Sequence, residues 1–154
     1  GEKESRYKEG AIERLYELTS GSAFLIMNFC GKLVNYLNEQ KSMYITRAHI
    51  DDFLKKNLSE FEESRFFEPQ YNDKSEVDNS EIIAKNKEIL KVIARGSYNR
   101  EWANIHLLIE DSENAKIIDK LVERDVLVRN GEDRCKIKVA LYKEWLIERY
   151  GLEG

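Results

Sequence analysis

Apolar residues recur with helical spacing in three consecutive stretches of residues 2–61. The first stretch, residues 8–19, is followed by Gly21, and glycine tolerates the left-handed conformation that closes helices. Ser22 is expected to cap the second helix, and Thr46 is expected to cap the third. Three helices with short connections predict a small helical bundle.

The second helix, residues 22–41, is predicted to lie at the centre of this bundle. Its first half is apolar on nearly every side, which is typical of a buried helix. The stripe expected to face the core consists of Ile26, Cys30, Leu33 and Leu37.

Residues 62–79 interrupt the helical pattern and are strongly acidic. Residues 61–80 hold six acidic and two basic side chains, an excess of four negative charges that equals the net charge of the whole chain, -4. Pro69, the one proline, lies here. Phe66, Phe67 and Tyr71 are expected to pack the two halves together, because disordered segments are poor in aromatic residues. We interpret residues 62–79 as an acidic, aromatic-containing joint.

Residues 80–150 predict three helices, a β-hairpin and a last helix. Ser80 is expected to cap the first helix, residues 101–109 to form the short second one, and Asp111 or Ser112 to begin the third. The pair Asn130 and Gly131 favours a hairpin between strands at 126–128 and 135–139. This order predicts a winged helix–turn–helix domain with a two-stranded β-wing. The expected fold class is therefore mainly α, a three-helix bundle followed by a winged helix–turn–helix.

Composition restricts the class of protein and its expected location in the cell. Its 154 residues are 42% hydrophobic and 35% charged, which indicates a globular protein. The sequence has no apolar run of the roughly 20 residues that a membrane span requires. It also has no secretory start, so a cytoplasmic location without membrane contact is expected. Gly1 ahead of a charged segment favours an excision point over a natural start.

The charged residues of the winged helix bear on its partner. The third helix of this half, 112–124, mixes three bases with three acids, whereas the hairpin is mildly basic. Acidic side chains near phosphate oppose DNA binding, so the mixture favours a protein-contact or intramolecular role over sequence-specific DNA binding. The candidate contact residues are Lys116, Lys120, Arg124, Arg129, Arg134, Lys136 and Lys138.

No residue set predicts catalysis or metal binding. His49 and His106 are isolated, and His49 with the nearby Asp51 and Asp52 is a weak metal pattern. No Ser/His/Asp or Cys/His arrangement has a supporting motif. The sequence therefore predicts a non-enzymatic fragment with no catalytic residues, no metal site and no cofactor of its own.

Residues 11–50 resemble the helical lid that follows the nucleotide-binding core in bacterial AAA-like and STAND-type ATPases, including the origin-recognition-like group. The second half is similar to their winged helix. In the lid, the matching residues are Thr19, Gly21, Phe24, Leu33, Val34, Tyr36, Leu37, Asn38, Ile45 and Thr46. In the tail, they are Val139, Leu141, Tyr142, Lys143, Glu144, Trp145 and Leu146.

The resemblance implies a regulatory C-terminal module that relays nucleotide state through the lid to a winged helix. Its implied partners are the ATPase core that would precede this chain, other protein subunits and, with less support, DNA. Ser20, Gly21 and Ser22 would lie near nucleotide in such a parent. The family's proline in this turn is Ala23 here, and residues 23–29 contain no arginine to reach a nucleotide.

The chain also contains no Gly-x-x-x-x-Gly-Lys-[Ser/Thr] sequence, so ATP and Mg²⁺ would bind only through the missing core. The alternative reading is a stand-alone winged-helix transcriptional regulator that binds DNA.

Overall fold

The computed structural model describes residues 7–8, 10–41, 43–74 and 80–153. It divides the chain into two compact units, Gly1–Phe61 and Glu62–Gly154. The described residues are mainly helical, with seven α-helices and a small three-stranded antiparallel sheet. The predicted boundaries at residues 2 and 79, and the acidic residues Glu76 and Asp78, lie outside the described residues.

The first unit contains three α-helices and a closing 3-10 turn. The helices are α1 (Ala11–Thr19), α2 (Ala23–Glu39) and α3 (Arg47–Asn57), and the 3-10 turn is Leu58–Glu60. Their shared core is apolar and aromatic. It includes Leu18, Phe29, Leu33, Leu37, Ile50 and Phe53.

Two predicted caps are confirmed in this unit. The Ser22 hydroxyl accepts from the Leu25 amide at 3.3 Å. The Thr46 hydroxyl accepts from the His49 amide at 3.2 Å, and His49 Nδ1 accepts in return from the Thr46 amide at 3.1 Å. This reciprocal pair is a capping box in which histidine takes the usual place of glutamate.

The predicted orientation of α2 was wrong by about one position. Its buried residues are Leu25, Phe29, Leu33 and Leu37. Ile26 and Cys30 are half-buried, while Phe24 and Met27 are 52% and 75% exposed. The reason is that, among the described residues, the helices that pack against α2 within its unit are α1 and α3. Two neighbours leave part of the circumference of a helix uncovered, so an all-round apolar sequence does not produce all-round burial here.

The second unit contains four α-helices and the sheet. Its helices are α4 (Glu63–Tyr71), α5 (Ser80–Gly96), α6 (Ser112–Glu123) and α7 (Ala140–Tyr150). Its strands are β1 (Ala103–Asn104), β2 (Leu127–Arg129) and β3 (Arg134–Ile137), and a 3-10 turn spans Leu108–Glu110.

The sheet has the strand order β1-β3-β2, which corrects the predicted two-stranded ribbon. The hairpin itself is confirmed, with Leu127 opposite Ile137 and Gly131 at a φ of 76°. On the other edge of β3, Ala103 pairs with Cys135. The short helix predicted at residues 101–109 is therefore absent, because its first half supplies strand β1 and only the Leu108–Glu110 turn remains helical.

The expected joint contains a helix of the second unit. In α4, Phe66, Phe67 and Tyr71 are buried within this unit. The Phe67 ring lies with its centroid 4.8 Å from that of Tyr142 and 5.7 Å from that of Trp145. The Phe67 ring thus packs α4 on α7, and Pro69 lies inside α4, where it removes one backbone donor.

Candidate interaction surface

All seven candidate contact residues lie between Lys116 and Lys138, in helix α6, at its C-cap and in the hairpin region that follows. The Asp111 side chain caps α6 by accepting from the amides of Glu113 (2.8 Å) and Asn114 (3.2 Å), which confirms one of the two predicted starting points. Ile118 and Leu121 are buried, and this orients the charged residues of the helix outward. The Asp111 cap therefore fixes where α6 begins, and the buried Ile118 and Leu121 fix which side of α6 faces the solvent.

The two basic residues of α6 and its C-cap residue, Arg124, differ in their partners. Lys116 and Lys120 are exposed, and Lys116 makes no ion pair with any residue in the described part of the chain. Arg124 donates to the backbone carbonyls of Pro69 at 3.1 Å and Gln70 at 3.2 Å. These carbonyls belong to the last turn of α4, which has no helical donors for them. Arg124 is therefore a cap for another helix as well as a surface cation.

Three of the four basic residues of the hairpin region are paired with carboxylates of the same unit. The pairs are Arg129 with Asp119 (2.7 Å), Lys136 with Glu101 (3.0 Å) and Lys138 with Asp125. Lys136 also lies with its Nζ 4.6 Å from the centroid of the Trp102 ring. Arg134 is exposed and has no ion pair among the residues that the structure describes. Most of the basic charge of the hairpin is thus matched internally.

A groove of about 190 Å³ lies between α5 and α6 and was not predicted from the sequence. Its apolar lining residues are Ile82, Ile117 and Leu121. Its charged lining residues are Lys85, Lys116, Lys120, Arg124, Asp73 and Glu113. The sequence contains one signal of this groove: a polar residue, Asn86, interrupts the apolar stripe of α5 between Ile82 and Ile89. Asn86 donates to the Tyr71 carbonyl at 3.0 Å, and Ile82, one turn earlier, is 39% exposed.

The turn of Ser20, Gly21 and Ser22 keeps its amides within the chain. The Ser20 amide donates to the Tyr16 carbonyl at 2.8 Å, and the Ser22 amide donates to the Thr19 carbonyl at 3.1 Å. The Gly21 amide donates to the Thr19 hydroxyl at 3.3 Å. Because each of these three donors has an acceptor in the turn, the turn does not direct them together toward an external anion.

The histidine and carboxylates of α3 are used for helix contacts. His49 belongs to the capping box, Asp51 pairs with Arg14 at 2.8 Å, and Asp52 accepts from the Tyr36 hydroxyl at 2.8 Å. The hydrogen bond from Tyr36, followed by that from Lys56, lowers the pKa of Asp52. Within the described residues, no three His, Cys, Asp or Glu side chains form a group that would hold a metal ion.

Of the helices in the described ranges, none has both the length and the apolar composition for crossing a bilayer.

Comparison with known proteins finds no relative of this chain. No protein-family model, no curated protein and no solved structure matches this chain.

Proposed function

We propose that the second unit is a winged helix–turn–helix domain. The order α5, β1, α6, β2, β3 supports this. In a winged helix, a single strand follows the first helix and pairs with the β-hairpin that comes later in the chain. Here β1 joins the free edge of β3. The 3-10 turn Leu108–Glu110 then occupies the place of the short middle helix, and α6 occupies the place of the helix that reads DNA in DNA-binding members.

The domain serves, in this proposal, to bind protein rather than DNA. The observation that carries it is the internal pairing of Arg129, Lys136 and Lys138 with acidic side chains. DNA affinity depends on cations that release counterions when they neutralise phosphates. A cation already held by a carboxylate contributes little to that process, and the carboxylate itself repels the phosphate.

The whole chain is proposed to be the regulatory C-terminal part of a larger AAA- or STAND-type ATPase. This parentage rests on the resemblance of residues 11–50 to the lids of those proteins. In a lid, α1–α3 would respond to nucleotide as one rigid body, and the winged helix would carry the change to a partner subunit. The fragment itself would not hydrolyse ATP.

The parentage is tested by the reading frame that precedes this chain. We expect it to encode a Gly-x-x-x-x-Gly-Lys-[Ser/Thr] sequence upstream of Glu2, because only such a loop supplies the phosphate cradle and the Mg²⁺-binding hydroxyl. A natural start codon at this point would contradict the ATPase parentage and leave the interaction role of the second unit to be judged by its own assay.

The choice between protein and DNA is tested by fluorescence anisotropy with a labelled random-sequence duplex. We expect dissociation constants no tighter than about 10⁻⁴ M near physiological salt, the weak end of non-specific binding. Tight binding that falls steeply with salt would instead support the second candidate, a stand-alone winged-helix regulator. Lys116 and Arg134 favour that candidate, since both are exposed and neither has an ion pair among the described residues.

A further inference from the structure

We propose that the groove between α5 and α6 binds an acidic peptide segment of a partner protein and takes one large apolar side chain of that segment onto its floor. This inference rests on the proposed role of the second unit as a protein-binding module, and it specifies the chemistry of the partner. The groove has an apolar floor, a basic rim and one rim side chain, Arg124, that hydrogen bonds already hold in position.

The floor of the groove is apolar and incompletely covered. Leu121 is buried, Ile117 is half-buried and Ile82 remains 39% exposed. Apolar surface that stays in contact with water favours an apolar ligand, because burying it releases that water. The volume of about 190 Å³ limits the insertion to about one bulky side chain. A partner therefore reaches the floor through a single anchor, which is a common arrangement at interface hot spots.

The rim of the groove has the opposite charge to the protein as a whole. Four basic and two acidic side chains line it, an excess of two positive charges, whereas the complete chain has a net charge of -4. A local positive site on an acidic protein attracts acidic ligands and, by complementarity, discriminates against basic ones. The charge of the rim thus selects the flanks of the peptide, and the floor selects its anchor.

Two of the rim cations are suited to meet carboxylates. Lys85 already contacts Glu81 (3.3 Å) and Glu113, so its charge is shared. Arg124 instead binds backbone carbonyls, and Lys116 has no ion pair with the described residues. The carbonyls of α4 fix the Arg124 guanidinium without neutralising it, so less side-chain entropy is lost when a carboxylate binds there.

A peptide fits this groove better than a nucleic acid. Glu113 and Asp73 line the same groove and would repel a phosphate chain. A nucleic-acid backbone also presents no apolar group to contact Ile82 and Ile117. A segment with one large apolar residue between acidic residues satisfies both the floor and the rim.

The test is a titration of the ¹⁵N-labelled chain, followed by amide chemical shifts, with the synthetic peptide acetyl-Glu-Asp-Glu-Leu-Ser-Glu-Asp-Glu-amide. We expect shifts confined to α5 and α6 around Ile82, Lys116 and Ile117. Two control peptides separate the contributions of floor and rim: one replaces the leucine with serine, and the other replaces every acidic residue with its amide. Each is expected to bind at least about fivefold more weakly.

Variants of the protein locate the site. Lys116→Glu is expected to weaken peptide binding about three- to tenfold, because it replaces an attraction by a repulsion at the rim. Arg134→Glu makes the same change of charge on the hairpin and is expected to leave the affinity unchanged. Ile82→Ser removes part of the floor at a partly exposed position and is expected to weaken binding about fivefold. The amide spectrum of the free variant, unchanged away from residue 82, is the check that it is folded.

The inference is overturned if the peptide causes no shifts at about 1 mM, if the shifts map to the hairpin or α7, or if Lys116→Glu and Arg134→Glu act equally. Its failure is distinct from failure of the proposed function. Tight, salt-dependent binding of the DNA duplex would contradict the protein-binding role, whereas absence of both DNA and peptide binding would contradict only the identity of this ligand.

Discussion

The Arg129 guanidinium donates to the Asp119 carboxylate across 2.7 Å and so joins strand β2 to helix α6. Arg129 also donates to the Glu132 carbonyl at 3.2 Å, within the hairpin loop. A single side chain therefore joins the hairpin to the helix, and one surface cation is paired with a carboxylate. In the proposed winged helix–turn–helix domain, this pair would lower the attraction of the hairpin for phosphate.

Releasing Arg129 is expected to restore part of that attraction. In Asp119→Asn, the weak binding of a random duplex should gain about one phosphate contact, which makes the slope of log affinity against log salt steeper by about 0.9. Fluorescence anisotropy at several salt concentrations measures the slope. Glu123→Gln is the matched control, since it removes an exposed acid of the same helix without releasing a cation. Equal slopes for the two variants would show that net charge alone governs binding.

The bonds from Arg124 to the carbonyls of Pro69 and Gln70 are expected to stabilise the second unit. Arg124→Met keeps the aliphatic stem and removes both charged donors, so we expect a loss of about 2 kcal/mol in the free energy of unfolding. Urea unfolding followed by tryptophan fluorescence is specific for this unit, because Trp102 and Trp145 are the only tryptophans of the chain. Arg134→Met should change the stability by less than about 0.5 kcal/mol.

Two glycines of the first unit should respond to alanine in opposite directions. Gly21 has a φ of 78°, and an added Cβ would lie 2.9 Å from the Tyr16 hydroxyl oxygen. Gly21→Ala is therefore expected to destabilise this unit by about 1–2 kcal/mol. Gly31 lies in α2, and outside the backbone of its own helix no atom of the described residues lies within 4 Å of an added Cβ, so Gly31→Ala should stabilise the unit by about 0.5–1 kcal/mol.

Hydrogen exchange of the α1 and α2 amides measures both glycine variants in the first unit alone. Tyr16→Ala combined with Gly21→Ala separates the two causes in the turn. The loss caused by Gly21→Ala is measured relative to Tyr16→Ala alone. If this loss persists, the backbone conformation is responsible, and if it disappears, the contact with the Tyr16 ring is responsible.

The second unit is expected to lose stability as the pH rises above about 9. Burial raises the pKa of the Cys135 thiol from 9.0 to about 11. Between these values the folded chain binds more protons than the unfolded chain, so stability that is complete below pH 9 is lost as the pH approaches 11. Between pH 9 and 10 this amounts to about 1 kcal/mol.

Urea unfolding at pH 8, 9 and 10, followed by tryptophan fluorescence, measures this loss. Cys135→Ala should reduce the dependence on pH by that amount, whereas Cys30→Ala in the first unit should not. Burial, and next the nearby Glu63 carboxylate, also raises the pKa of Tyr142. Its contribution begins near pH 10 and persists in both variants, so it cancels in the comparison between Cys135→Ala and Cys30→Ala.

Local signals were predictable from the sequence, and features that depend on neighbours were not. The caps formed by Ser22, Thr46 and Asp111 follow from short-range hydrogen bonds that each residue makes within three positions along the chain. The buried face of α2 was misassigned because Leu33 and Leu37 belong to both possible stripes. Only the packing of α1 and α3 selects Leu25 and Phe29 over Ile26 and Cys30.

The surface was only partly predictable for a similar reason. Basic residues of α6 and the hairpin were visible in the sequence, but their partners were not, since Lys136 meets Glu101 from a distant segment, 35 residues away. Strand β1 has two residues, too few for any alternation to appear, and it forms by adding to β3. The groove likewise depends on two helices coming together, so that its apolar floor is divided between Ile82 and Ile117.

The shortness of the sheet has a consequence for assembly. Its outer strands, β1 and β2, contain two and three residues, so an incoming strand would gain very few backbone hydrogen bonds at either side. Growth of the sheet from one molecule into the next is therefore disfavoured. A contact between copies would therefore rely on side chains and not on strand edges, so a few substitutions could redirect it without rebuilding the backbone.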